Sequence, residues 1–139
     1  MINIKTIHAR QILDSRGNPT VECELTLSTG QMGTGISPSG ASTGKLEAIE
    51  LRDNDSNKFK GKSVYKAVSN INTLVRKKVI GKNFNTQEEF DDLLIELDGT
   101  NNKKNIGANA ILAASLAFCK AKTKFDGIEL FQSFGDSFS

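Results

Sequence analysis

The 139-residue chain has no tryptophan, two prolines, two cysteines and a single histidine. One histidine excludes a histidine cluster and the His-Glu-x-x-His zinc motif. His8 lies within a run of strand-forming residues and reads as structural. Cys23 and Cys119 stand far apart without paired spacing, so neither a disulfide framework nor a cysteine zinc site is legible. They read as buried free thiols in a reducing compartment. Eighteen basic against sixteen acidic side chains leave a charge of only +2. That is too little, and too evenly mixed, for a nucleic-acid footprint. No apolar run approaches the ~20 residues that span a bilayer, so no membrane role is expected. The start, Met1-Ile-Asn-Ile-Lys-Thr6, lacks the basic region, apolar stretch and cleavage site of a signal peptide. The expectation is a soluble, cytoplasmic chain forming one domain or a piece of a larger protein.

What is present organises into two halves. Over residues 20–28, Val21, Cys23, Leu25 and Leu27 alternate with polar residues, the period of a strand with one buried face. Thr29-Gly30 reads as a hairpin turn into a second strand near 31–37. Ile2–Leu13 is expected to hold a strand as well, broken by the turn formers of Asp14-Ser-Arg-Gly-Asn-Pro19. The N-terminal third is thus a three-stranded antiparallel meander. After Gly44 the chain reads as helices. Val64, Ala67, Val68, Ile71, Leu74 and Val75 form one helical stripe that stops by Gly81. Thr86-Gln-Glu-Glu89 is a capping box opening a helix with Phe90, Leu93, Leu94 and Leu97 inward, ended by Gly99. Residues 107–122 form a third helix whose six alanines suit close packing against another surface and also simply favour helix. The fold class is therefore α+β, a three-stranded meander followed by a helical bundle.

Most chemical motifs fail on inspection. Gly40-Ala-Ser-Thr-Gly44-Lys45 has its glycines too close for a phosphate loop, and Leu46 stands where the magnesium-binding hydroxyl belongs. Asp53-Asn-Asp-Ser-Asn57 begins like a calcium loop, but Lys58 replaces its glycine and Val64 its glutamate. It reads as a solvated polar connection. Asn54-Asp-Ser56 matches a glycosylation sequon that an intracellular chain never uses. What survives is Pro38-Ser-Gly-Ala-Ser-Thr-Gly44, an oxygen-rich loop between a strand and a helix. On chemistry alone it is either a plain flexible loop or a lid that closes on a ligand.

Read together, several segments resemble the enolase family. They are Asp14-Ser-Arg-Gly-Asn-Pro-Thr20, Pro38-Ser-Gly-Ala-Ser-Thr-Gly44, Glu47-Ala-Ile-Glu-Leu-Arg-Asp53, Asp98-Gly-Thr100, Asn102-Lys103 and Gly107-Ala-Asn-Ala-Ile-Leu112. They fall in the family's order across residues 5–120. The resemblance covers the family's N-terminal domain, expected over residues 1–125, with 126–139 a divergent tail. It does not reach the C-terminal barrel that carries the family's lysine base, glutamate acid and magnesium carboxylates. It implies that Ser39, Gly40, Ala41, Ser42 and Thr43 form a lid over bound 2-phosphoglycerate, with Ser42 an oxygen ligand to Mg2+. It further implies that Arg10 and Glu22 make contacts across a homodimer, although both also read as solvated strand charges. Ser37, Ser63, Lys104, Asn105, the run Lys122–Gly127 and Glu129 depart from the family pattern. The implied function is the lid domain of the glycolytic lyase that dehydrates 2-phosphoglycerate to phosphoenolpyruvate, the 139 residues alone being inactive. The alternative is a stand-alone, non-catalytic binding or assembly module derived from an enolase.

Overall fold

The computed structural model describes residues 1–38 and 49–127. Strands β1 (Ile2–Leu13), β2 (Pro19–Leu27) and β3 (Met32–Ile36) form the expected meander, all pairs antiparallel. A two-residue strand, β4 (Asn83–Phe84), adds to the far edge by pairing with Ile2 and Asn3, giving the order β3-β2-β1-β4. The all-helical expectation after Gly44 missed it because two residues carry no readable period. It also missed the non-helical course of residues 49–58.

One face of the sheet is apolar and covered. Val21, Cys23, Leu25 and Leu27 are all at most 1% exposed, as their alternation predicts. In β1 the inward parity changes, from Ile2 and Ile4 to Ile7 and Ala9, across a register shift between Ile4 and Thr6. A one-residue irregularity swaps the faces of everything beyond it. The opposite face carries Arg10, Glu22, Glu24, Met32 and Ile36.

Helix α1 (Tyr65–Asn70) runs through a π-helical segment, Ile71–Val75, into α2 (Arg76–Val79). The wider π turn alters the expected stripe. Val64, Ala67, Ile71, Val75 and Val79 are buried, whereas Leu74, expected inside, is 47% exposed. The turn also aims Asn72 at the edge of β1, where its amide accepts from the Ala9 N–H (2.7 Å) and donates to the Ala9 carbonyl (3.0 Å). Asn72 thus substitutes for a neighbouring strand that β4 is too short to provide.

Helix α3 (Gln87–Asp98) starts at the capping box. Thr86 Oγ1 accepts from the Glu89 N–H, and the Glu89 carboxylate accepts from the Asn85 N–H. Gly99 ends the helix at φ +74°, a left-handed conformation that suits glycine. Helix α4 (Ala108–Asp126) lies directly on β2 and β3. Its alanines meet the glycines of β3. A Cβ on Gly33 or Gly35 would stand 2.2 Å from the carbonyl oxygen of Ala117 or Ala113. Strand and helix backbones are therefore in contact, which explains why both sequences are so poor in side chains there. Phe84, Phe90 and Phe118 close the core, Phe90 and Phe118 stacked at 4.3 Å with Phe84 edge-on to both. Cys23 and Cys119 are free and buried, and burial pushes the Cys23 thiol up to about 12.

Candidate functional site

The oxygen-rich loop Ser39–Thr43, including Ser42, lies outside the described residues. What the structure gives is the frame on either side of residues 39–48. On the entering side, Ser37 directly follows β3. Its N–H donates to the Val21 carbonyl (3.0 Å), and its own carbonyl accepts from the Thr20 hydroxyl (2.6 Å). Both residues are nearly inaccessible, at 3% and 2% exposure for Thr20 and Ser37. Both backbone polar groups of buried Ser37 are therefore satisfied.

On the leaving side, the Ile49 N–H donates to the Asn102 carbonyl (2.8 Å), and the Ala108 N–H donates to the Ile49 carbonyl (2.7 Å). The Asn109 amide then grips Leu51 at both backbone groups, at 3.0 and 3.2 Å. Arg52 reaches back to the start of β2, donating to the carbonyls of Pro19 (2.5 Å) and Lys62 (2.7 Å) and pairing with Glu50 at 3.4 Å. One guanidinium thus ties the chain beyond residue 48 to the same corner that holds Ser37.

The third wall of this corner is the β1–β2 turn. Asp14 Oδ1 accepts from the N–H groups of Arg16 and Asn18, both at 2.9 Å, and Gly17 adopts φ +79°. This is an Asx turn that the short Asp side chain makes against its own backbone. A cleft of about 370 Å³ opens there, lined by Leu13, Asp14, Arg16, Thr20 and Ser37 among others.

Asp53 is not the solvated connector the sequence suggested. Its carboxylate accepts from the Ser63 hydroxyl (2.9 Å) and the N–H groups of Tyr65 (2.8 Å) and Lys66 (3.0 Å). It caps α1, whose own N-cap, Val64, supplies no side-chain acceptor. Desolvation alone would raise its pKa. The hydrogen bonds from Lys66, Ser63 and Tyr65, with the Lys66 charge, outweigh that and hold it below the ordinary carboxylate value. Asp98 behaves alike. Its desolvation is outweighed by bonds from Thr100 and the Ile106 N–H (2.6 Å), so its pKa is also lowered. Arg52, Asp53, Asp98 and Asn109 received no individual role from sequence. The signal was present, since all four lie in the quoted family blocks.

Arg10 and Glu22 sit directly opposite each other on β1 and β2 and form an ion pair at 2.5 Å, with Glu24 at 3.6 Å from the same guanidinium. The bond from Glu22 raises the Arg10 pKa further. The pair lies on the sheet face opposite the helices. His8 is exposed on that face, opposite Glu24. Among the described residues, no three His, Cys, Asp or Glu side chains converge to hold a metal, so they do not by themselves fit a magnesium centre. No helix among them is long and apolar enough to cross a membrane.

The described residues thus form an antiparallel sheet covered on one face by helices, an α+β fold. The family model "Enolase, N-terminal domain" matches residues 4–134, and the chain belongs to that family. It is 54% identical over 132 residues to Enolase 2 of Pseudomonas syringae pv. tomato (strain ATCC BAA-871 / DC3000). That alignment covers 95% of this chain and 31% of the relative, so the chain spans about a third of the length of the protein it matches.

Proposed function

We propose that this chain supplies the lid-bearing domain, residues 1–125, of an enolase acting in the cytoplasm on 2-phosphoglycerate to give phosphoenolpyruvate in glycolysis. The observation that supports this reading is the frame around residues 39–48. Thr20 and Ser37 hold one end and Arg52 and Asn109 the other, and Thr20, Arg52 and Asn109 lie within family blocks. Glycines at positions 40 and 44 would supply the permissive backbone angles that a closing lid requires. Ser39–Thr43 would then close over substrate, exclude water and raise the strength of each charge interaction within the site. Ser42 offers an oxygen to Mg2+, which when bound stabilises the negative charge developing on the substrate. The base, the acid and the metal carboxylates of the family belong to its barrel, and a lid without them leaves the barrier essentially untouched. Arg10 and Glu22, already side by side, present one positive and one negative group to a second subunit.

The test is phosphoenolpyruvate absorbance with 2-phosphoglycerate and magnesium, with and without a separately expressed enolase barrel. We expect no rate above a no-protein control from the 139 residues alone. Activity should appear on mixing and fall at least about 10-fold with Ser42→Ala. Turnover by the chain alone refutes the lid-only role. A silent mixture of two folded partners moves the reading to a non-catalytic assembly module.

A further inference from the structure

Two aspartate–glycine pairs stand in matching positions of the fold. Asp98-Gly99 closes α3 and Asp126-Gly127 closes α4. In each the aspartate is the last helical residue and the glycine turns left-handed, at φ +74° and +75°. The Gly99 N–H donates to the Ile95 carbonyl (3.0 Å) and the Gly127 N–H to the Lys124 carbonyl (3.2 Å). The backbone setting is therefore nearly the same at the two pairs, and what differs is the carboxyl group.

Asp98 is 2% exposed, and both its carboxylate oxygens are engaged. They accept from the Thr100 N–H (3.1 Å) and hydroxyl and from the Ile106 N–H (2.6 Å), while the Asn105 amide holds the Asp98 carbonyl (2.8 Å). Asp126 is exposed, and among the described residues its one side-chain partner is the Lys122 ammonium (2.5 Å), one turn earlier. A surface pair of that spacing contributes little. Asp126 also stands in the last turn of its helix, where the unpaired carbonyls disfavour an anion and the backbone frays.

An aspartyl residue followed by glycine carries its own reaction. The glycine nitrogen attacks Cγ, water leaves, and a five-membered succinimide forms. Water then opens the ring at either carbonyl. One opening returns aspartate. The other gives isoaspartate, in which the main chain runs through Cβ and Cγ and the carboxylate stands on Cα. One water is lost and one regained, so the mass is unchanged and no other reactant is needed. Glycine admits the approach because it has no side chain to block it. Ring closure needs Cγ to swing onto the nitrogen, and it starts from the uncharged carboxyl, whose hydroxyl departs as water. At Asp98 the hydrogen bonds hold Cγ in place. They also keep the group ionised, since desolvation is outweighed by the bonds from Thr100 and Ile106.

We propose that Asp126 is an isoaspartate-forming site, and that the hydrogen bonds around Asp98 suppress the same reaction in the matching pair. The product lengthens the backbone by one carbon at the end of α4. The Gly127 N–H, which now donates to the Thr123 and Lys124 carbonyls, is displaced and the helix loses its cap. The carboxylate placed on Cα is the group that methyltransferases using S-adenosylmethionine esterify on isoaspartyl proteins, so an enzyme of that class is the partner of the modified chain. The inference does not depend on the proposed catalytic role.

The test is to hold the folded 139-residue chain at neutral pH and body temperature for several weeks and then digest it after lysine, which releases residues 125–139. Isoaspartate appears as a second peptide peak of equal mass, and electron-transfer fragmentation tells Asp126 from Asp136. Methyl transfer from labelled S-adenosylmethionine by a purified isoaspartyl methyltransferase counts the product independently. Isoaspartate at Asp126 should exceed that at Asp98 at least about 10-fold, the effect of a single hydrogen bond to a charged group. In concentrated urea the two pairs should react alike, because the shared dipeptide then decides. Asp126→Glu keeps the charge but closes only a six-membered ring, and should abolish the signal. Lys122→Ala should raise it about 2-fold, the effect of an exposed i,i+4 pair. Circular dichroism checks that both variants fold. A folded chain in which Asp126 stays unmodified overturns the proposal, as does isoaspartate that gathers at Asp136 or Asp55 instead. Equal reaction of Asp98 and Asp126 in the folded chain, or an Asp98 that stays inert in urea, removes the protective role assigned to the fold.

Discussion

Gly35→Ala isolates the contact on which the sheet–helix packing depends. Gly35 does not have a positive φ, so alanine fits its backbone and by itself would restrict the unfolded chain and stabilise by about 0.4–1 kcal/mol. The added methyl, however, falls 2.2 Å from the Ala113 carbonyl oxygen and 2.6 Å from the Ala117 nitrogen. Both are helix backbone atoms that no rotamer change can move. Helix and strand must separate by about 1 Å, and a gap of that size forfeits up to half of each dispersion contact along the interface. Overpacking with nowhere to relax lies at the upper end of the usual range, about 3 kcal/mol. Against a total stability of about 5–15 kcal/mol this is a large fraction. In urea, with a slope of about 1–3 kcal/mol/M, the midpoint should fall by about 1–3 M. Gly30→Ala is the matched control. It has φ +101° but no atom within 4 Å, so it carries backbone strain without a clash and should cost only about 1–2 kcal/mol. If Gly35→Ala costs less than Gly30→Ala, the backbone contact between β3 and α4 is not what holds these layers together.

Asp53→Ala removes the cap of α1 and leaves the fully buried Ser63 hydroxyl without its acceptor, and should cost about 2–4 kcal/mol by urea unfolding. Because Asp53 and Asp98 both titrate below the ordinary carboxylate value when folded, their stabilisation is complete above the unfolded value of about 3.9. It is lost as pH falls through their lower folded values, so the melting temperature should drop on acidification below about pH 4. Asp53→Asn should flatten that acid limb, and an unchanged limb would refute the assignment. Asn72→Ala strands the N–H and carbonyl of Ala9, itself 1% exposed, at an expected cost of about 1–3 kcal/mol in the same assay. Asn72→Asp, keeping the acceptor but opposing a carboxylate to the Ala9 carbonyl, should be worse than Asn72→Ala.

The parts of this fold that could be read from sequence are those whose cause is local. The alternation in β2 has a single buried face to explain it, and Thr86 with Glu89 needs only one helical turn. Residues 107–122 were legible as a helix from alanine content, yet α4 continues to Asp126 and stops at Gly127, φ +75°. What escaped was set by partners distant in sequence. β4 exists because Ile2 and Asn3 offer it an edge 80 residues away. The π turn that exposes Leu74 is matched by the two bonds of Asn72 to a strand 63 residues earlier. Asp53 looked solvated because the helix it caps begins 12 residues later. The same division runs through the candidate site. Family blocks marked Arg52, Asp53, Asp98 and Asn109 as members of a pattern, but only their placement shows a shared task. Arg52 and Asn109 fasten the chain beyond residue 48, Asp98 holds the loop that receives Ile49, and Asp53 starts the helix whose Asn72 closes the edge of β1. Polar residues in those blocks therefore act first as fasteners of backbone, so their substitution should alter stability before it alters any property of residues 39–43.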